Sequence, residues 1–237
     1  MRELHDHFFR QARLQGYRSR AAFKLIEIDE RRRLLRRGSV VLDAGCAPGS
    51  WLQVAAARVG PPGRVIGVDL KECDPRGLAP NVRLVQGDLR DVTLAELLGG
   101  VAPEPAGGAA HRVLGEEPAP PFDVILSDMG PDTTGDPSGD SARSIRLCHD
   151  LLDRAGLWLR LGGHLAMKVY EGGDYPELLR RTRSLFAEAK GYKPESSRDE
   201  SVEIYLIGRG WRGAERSGQA PAQQPAGARP RGWRTSA

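Results

Sequence analysis

What is scarce in this chain of 237 residues excludes several protein classes at once. No apolar run approaches the roughly eighteen residues of a membrane-spanning helix, so no membrane partner is expected. The first twenty residues, MRELHDHFFRQARLQGYRSR, lack the apolar stretch of a secretory signal. Glu3 and Asp6 among the arginines argue against a transit peptide. There are only three cysteines, Cys46, Cys73 and Cys148. Their spacing fits neither a disulfide framework nor a zinc or iron–sulfur site, and the odd count suits a reducing cytoplasm. No metal site and no internal repeat is expected.

The length, with 40% apolar residues, suits one substantial core. The net charge of +4 conceals an uneven distribution. Residues 1–37 carry eleven Lys/Arg against five Asp/Glu, and residues 209–237 carry six Arg against one Glu. The stretch between them is acidic, at −7. An acidic body with two basic ends fits a polyanionic partner held by the ends, although basic ends are also ordinary solubilising surface.

Residues 17–35 place Phe23, Leu25, Ile26 and Ile28 among charges, and Ser19 is a candidate N-cap, so an amphipathic helix is expected there. Short Val/Ile-rich runs follow at Ser39–Leu42, Arg64–Val68, Val82–Val85, Phe122–Ser127 and His164–Val169. Helical patterns lie between them at Trp51–Val59, Leu94–Leu98, Ser141–Leu161 and Tyr175–Ala189. This is the βαβ rhythm of an open, mostly parallel α/β sheet with helices on both faces. A last strand, SVEIYLIG at 201–208, allows a terminal antiparallel pairing. Residues 101–121, rich in Pro, Ala and Gly, read as a surface loop, and residues 210–237 as a disordered basic tail.

In such sheets ligands sit beyond the C-terminal strand ends. The first strand runs into VVLDAGCAPGSW, residues 40–51. A dinucleotide fingerprint requires Gly-x-Gly-x-x-Gly, but here Ala47 and Ser50 stand where the second and third glycines belong. No Gly-Lys-Ser/Thr follows, so the phosphate cradle of an NTPase is absent too. Asp43 directly before the turn suits a ligand with a cationic group, such as S-adenosylmethionine, better than a pyrophosphate. Gly45 and Gly49 permit close backbone approach. Asp69, ending VIGVD, is placed to accept from ribose hydroxyls, and Asp88, in QGDLRD, from an adenine amine. Each acid alone is equally a turn or cap residue; three at successive strand ends, with this turn, point to a methyl-donor site.

The fourth strand ends SDMGPD, placing Asp128 at the same crevice. No Pro-Pro-aromatic follows it, which disfavours an exocyclic amine as methyl acceptor. Cys148 lies in a helical pattern and Cys46 in the donor turn, so both read as packing thiols rather than nucleophiles. Lys168 ends an apolar strand, where it is either a snorkelling edge residue or a functional one. It should stand beside Asp128, with Glu203 in SVEIYLIG as a further partner. Lys24, read alone, belongs to a solvated helix face.

Taken in order, RSRAAFKL, DAGCAPGSW, VDL, QGDLRD, SDMGPD, KVYEGG and SSRDESVEIYLIG resemble the FtsJ/RrmJ (RlmE) ribosomal RNA 2′-O-methyltransferases, from about Asp6 to Gly208. The resemblance implies a Rossmann-like, seven-stranded methyltransferase sheet with a terminal antiparallel strand, in a single domain over residues 1–209 led by a basic helix. It implies a catalytic tetrad of Lys24, Asp128, Lys168 and Glu203. It implies donor contacts at Gly49, Trp51, Asp69, Asp88 and Asp128, beside Asp43 and Gly45 read from the turn. Its usual substrate is a uridine of large-subunit ribosomal RNA. Ser50, Gly130 and Asp132 depart from the usual Gly, Ala and Asn without touching the tetrad. Arg13, Arg18, Arg20 and Arg198 are candidate RNA contacts. The expected enzyme is a cytoplasmic monomer that binds S-adenosylmethionine and acts on ribosomal RNA or the large subunit. Three alternatives remain: a transfer-RNA or other RNA methyltransferase, a non-catalytic RNA-binding module with a vestigial donor site, and a nicotinamide-dependent oxidoreductase.

Overall fold

The computed structural model describes residues 2–99, 120–197 and 201–213. Two helices, α1 (Arg2–Leu14) and α2 (Ala21–Arg32), lead into an alternating succession. It runs β1 (Val40–Ala44), α3 (Ser50–Val59), β2 (Arg64–Asp69), β3 (Val82–Gln86), α4 (Leu94–Leu98), β4 (Phe122–Ser127) and α5 (Pro137–Trp158). The remainder is β5 (Leu159–Tyr170), α6 (Tyr175–Leu185), β6 (Phe186–Tyr192) and β7 (Glu203–Trp211).

The seven strands form one sheet in the order β3-β2-β1-β4-β5-β7-β6. The first five are parallel, while β7 runs antiparallel to both its neighbours, β5 and β6. After β1 the chain moves outward to β2 and β3, then returns to the other side of β1 as β4. That reversal leaves a crevice at the C-terminal ends of β1 and β4, where ligands of open α/β sheets bind.

The sheet is apolar on both faces because helices cover both. On one face Leu25 and Ile28 of α2 and Trp51, Leu52 and Ala55 of α3 pack over Val41, Leu126, Ala166 and Tyr205. On the other, Leu151, Leu152, Ala155 and Trp158 of α5 pack over Ile125, Met167 and Leu206. Successive strand residues therefore alternate between the two cores.

Several boundaries differ from the sequence expectation. Helix α2 starts at Ala21 behind Arg20, and Ser19 makes no conventional cap; its hydroxyl accepts from Ala21 N at 3.2 Å and pairs with Ser50 Oγ at 2.9 Å. Strand β1 runs two residues further than expected, so Asp43 lies inside it. The helix expected over Tyr175–Ala189 ends at Leu185, and FAEAKGY becomes β6. Ala, Glu and Lys favour a helix locally, but pairing with β7 and burial of Phe186 against the Trp211 ring, 5.0 Å away, override that preference. Helix α5 likewise stops at Trp158, three residues short of the expected end, because Leu159 pairs with Phe122. Most of the loop expected at 101–121 and of the tail at 210–237 lies outside the described residues. No described helix is long and apolar enough to cross a membrane.

Candidate active site

Five charged or polar groups reach the crevice on one face of the sheet by the period-two rule. Val41, Leu126, Ala166 and Ile207 belong to the core under α2 and α3. Asp43, Asp128 and Lys168, each two residues further along, project to that same face, as do Tyr205 and Glu203 on β7. The register sets Lys168 opposite Tyr205 and Tyr170 opposite Glu203. Helix α2 then brings Lys24 down onto this group.

Two ion pairs result. Lys24 Nζ stands 2.8 Å from Glu203 Oε2, and Lys168 Nζ 3.3 Å from Asp128 Oδ1. Lys168 Nζ also donates to the backbone carbonyl of Asp128 at 2.5 Å. Tyr205 joins the pairs: its hydroxyl donates to Asp128 Oδ1 at 2.7 Å, and its ring centre lies 5.7 Å from Lys24 Nζ. Burial pushes the Glu203 carboxyl up, but Lys24, then Lys168, outweigh it and hold the group below its ordinary value. Burial first, then Asp128, pushes the Tyr205 hydroxyl well above the usual phenol range, so it stays a donor. The four tetrad residues predicted from sequence are thus brought together. Tyr205 was missed, although the alternation Glu203–Tyr205 in an apolar strand was a readable signal. Gly130 gives these groups room: a Cβ there would lie 3.0 Å from the Tyr170 hydroxyl and 3.3 Å from Lys168 Nζ.

Beside the pairs, the turn from β1 to α3 uses Gly45 at φ +78° and Gly49 at φ +107°, where side-chain-bearing residues are strained. A Cβ on Gly45 would strike Met129. Asp43 is fully buried, and neither carboxylate oxygen has a hydrogen-bond partner among the described residues. Burial, then the charges of Asp128 and Asp69, push its carboxyl well above the usual range. Asp69 is half-buried and accepts from Ala47 N at 2.9 Å and Lys71 N at 2.8 Å, so it shapes the turn. Asp88 accepts from Arg90 N at 2.9 Å and from its guanidinium at 2.5–3.0 Å, and the hydrogen bond from the guanidinium lowers its pKa. Trp51 is buried; its indole donates to Ala21 O at 2.8 Å, and its ring lies 5.6 Å from that of Tyr205.

The other candidates separate. Arg13 is exposed on α1, Arg20 is half-buried beside α2, and Arg198 lies outside the described residues. Arg18 turns inward. Its guanidinium donates to Pro48 O at 2.7 Å, to Cys73 Sγ at 3.5 Å and to Arg76 O, while its backbone N–H donates to Gln53 Oε1 at 3.0 Å. A Cβ on Gly49 would lie 2.8 Å from its Nη1. Cys148 is buried, donates to Lys168 O at 3.2 Å, and has its thiol pushed up to about 12 by burial, which removes it as a nucleophile at neutral pH. Burial raises Cys46 further. No group of three or more His, Cys, Asp or Glu able to hold a metal occurs among the described residues.

Against this geometry stand the comparisons. The family model FtsJ-like methyltransferase matches residues 17–211. The ribosomal RNA large subunit methyltransferase E of Azoarcus sp. is 44% identical over 206 residues, 86% of this chain and 91% of that protein. The protein of the same name from Syntrophobacter fumaroxidans is 42% identical over 203 residues, 86% of this chain and 94% of its own. A solved structure described as a ribosomal RNA methyltransferase from Plasmodium falciparum superposes with a TM-score of 0.68 at 29% identity, over 84% of this chain and 100% of that one.

Proposed function

The chain belongs to the FtsJ-like methyltransferase family, and from that membership we propose that it methylates a ribose 2′-hydroxyl of large-subunit ribosomal RNA, on a uridine, with S-adenosylmethionine as donor. The observation that carries this reading is the placing of two ion pairs, Lys168–Asp128 and Lys24–Glu203, about Tyr205, whose hydroxyl holds Asp128 and whose ring faces Lys24, beside the unpartnered Asp43. A ribosomal substrate fits the cytoplasmic location expected from the sequence. All the tetrad residues come from one chain, so the reading needs no second copy.

The residues fit the donor. A buried carboxylate without a partner is costly, and a cationic ligand group satisfies it. Asp43 would supply that carboxylate for the donor's ammonium, Gly45 and Gly49 would let the backbone approach, and Asp69 orders the turn through Ala47 N and Lys71 N. Asp88 keeps acceptor capacity beside Arg90, since a carboxylate has about four lone-pair positions. Trp51 holds α3 against α2 under the site. When bound, S-adenosylmethionine supplies a methyl group already activated by its sulfonium.

The protein's own task is then to align the acceptor and remove one proton. Lys168 Nζ, with two of its directions held by the carbonyl and carboxylate of Asp128, is the cation that meets the 2′-oxygen as its proton passes to solvent water and the sulfonium–methyl bond gives way to the new oxygen–methyl bond. Asp128 orients the amine. Glu203 fixes Lys24 on the other side of Tyr205, so that two cations face the developing negative charge on the oxygen.

Labelled methyl transfer to undermodified large ribosomal subunits, followed by mapping of the modified ribose, tests this. The expected result is incorporation at one 2′-oxygen. Donor binding without transfer to any RNA, or transfer to transfer RNA alone, overturns it.

A further inference from the structure

The candidate catalytic groups occupy the C-terminal ends of the strands, yet a group of exposed arginines lies at the opposite edge. The loop 33–39 enters β1 carrying exposed Arg36 and Arg37, and exposed Arg64 opens β2 opposite Val40. Arg160 near the start of β5 and Arg209 near the end of β7 reach the same edge. Arg209 is the register partner of His164. The His164 imidazole is held below its ordinary value by burial first, then by the charges of Arg209 and Arg36.

Counter-ions account for part of this edge. Asp123 pairs with Arg160 and accepts from Val40 N at 2.6 Å. Glu188 pairs with Lys190 at 2.9 Å, Arg209 at 3.7 Å and Arg32 at 3.8 Å. Helix dipoles account for more: Arg31 and Arg32 close α2 and Arg58 closes α3, where carbonyl ends favour cations. Neither explanation reaches Arg36, Arg37 and Arg64. Their side chains make no ion pair or hydrogen bond among the described residues, and they stand outside the helices. Arg37 Nη1 lies 3.1 Å from where a Cβ of Gly60 would be, so two of the three flank the same strand entrance. Unpaired like charges held together weaken the fold unless a polyanion meets them.

We propose that Arg36, Arg37 and Arg64 form a second RNA-binding face that grips a ribosomal RNA segment other than the one being methylated. This rests on the reading of the chain as a ribosomal RNA methyltransferase and deepens it by naming the substrate's architecture. The six residues of β4 separate the two edges by about 20 Å at ~3.3 Å per residue. A short hairpin held at the catalytic edge does not reach around the sheet. A folded subunit surface with several RNA segments does.

The test compares the protein with the triple variant Arg36→Glu/Arg37→Glu/Arg64→Glu, with the Gln triple as a gentler second variant. Filter binding measures Kd for undermodified large subunits and for a short hairpin carrying the target loop, across a salt series. Loss of three phosphate contacts should weaken subunit binding about 10–100-fold and make the salt dependence shallower by about three. Hairpin and donor affinities should stay within about twofold. Unchanged subunit binding overturns the proposal, and so does equal weakening for hairpin and subunit, which makes this edge part of one footprint. Methyl incorporation by the unaltered protein is scored in parallel. If it methylates subunits and the variants bind them normally, the second face falls alone. If it methylates no RNA while the variants still lose subunit binding selectively, the catalytic reading falls and the second face stands.

Discussion

The Tyr205 hydroxyl lies 2.7 Å from Asp128 Oδ1, the oxygen that also faces Lys168 Nζ at 3.3 Å. One carboxylate oxygen thus serves a neutral donor and a cation together, and Tyr205, buried with its ring packed at a tilt against Trp51, has little freedom to leave it. The arrangement makes Tyr205 a positioning residue for Lys168 that acts through Asp128.

Replacing Tyr205 by Phe keeps the ring and removes that donor. A hydrogen bond to a charged group contributes about 1.5–3 kcal/mol. The variant should melt roughly 3–12 °C lower. Methyl transfer should lose about tenfold in kcat, with KM for donor and RNA within about twofold, because alignment rather than binding is disturbed. A lower melting temperature with unchanged kcat would leave Tyr205 a purely structural residue.

Lys168→Ala removes the only amine that touches Asp128 among the described residues. A placed donor that stabilises developing charge contributes about 10²–10³-fold, so single-turnover transfer should fall by that much. Donor Kd, measured by calorimetry, should remain within about threefold, since Asp43, Gly45 and Gly49 are untouched. Near-normal turnover would remove Lys168 from the reaction.

How far the sequence reveals this site depends on the kind of signal each residue leaves. Lys168 and Glu203 stand out because a charge in an apolar strand demands a reason. Asp43, Asp69 and Asp128 stand out through their positions at strand ends. The pairing of Lys24 with Glu203 is invisible to periodicity, since 179 residues separate them and Lys24 alone resembles any solvated helical lysine; only the ordered motifs of a known family place it. Tyr205 leaves only its place two residues beyond Glu203 on the same strand face, a faint mark because a tyrosine in a strand is ordinary. Strand β6 is hidden for a different reason: its residues favour a helix, and the pairing that overrides them is supplied by β7, a distant segment.

Asp43 sets a pH dependence whose sign follows from its raised pKa. In the donor-free protein the fold holds this proton more tightly than the unfolded chain does. The stabilising contribution is complete below the ordinary carboxylate value near ~3.9 and is lost as pH rises through the raised folded value. Asp43→Asn should therefore flatten that loss and raise the melting temperature at pH 7–8. Pairing with a cation requires the ionised form, so donor affinity in the unaltered protein should rise with pH, and binding should release a proton. Calorimetry in buffers of different ionisation enthalpy measures the release. Asp43→Asn should abolish it and weaken donor binding about tenfold or more, in keeping with loss of a charged hydrogen-bond partner. Donor binding that is equally tight and proton-neutral in both proteins would refute the pairing.

Arg18 separates two readings of the same residue. As an RNA contact it should matter to RNA affinity and little to the donor. The geometry gives it another role: its guanidinium ties the Pro48 and Arg76 carbonyls to the segment before α2, across the backbone of Gly49. These acceptors are backbone atoms 30 and 58 residues away, so no side-chain pattern in the sequence announces them. Arg18→Ala frees the donor turn on one side. Two hydrogen bonds to carbonyls and a longer one to Cys73 Sγ are lost; each is worth about 1.5–3 kcal/mol at most in a buried setting and less where solvent replaces it, so a rise in donor Kd of about 5–20-fold is expected. RNA Kd should shift by no more than about threefold, the effect of one cation at moderate salt. Arg18→Lys keeps the charge but cannot span two carbonyls with a planar fork, so it should recover RNA affinity and only part of the donor affinity. Full recovery of donor affinity by Lys, or a larger effect on RNA than on donor, would return Arg18 to the RNA surface.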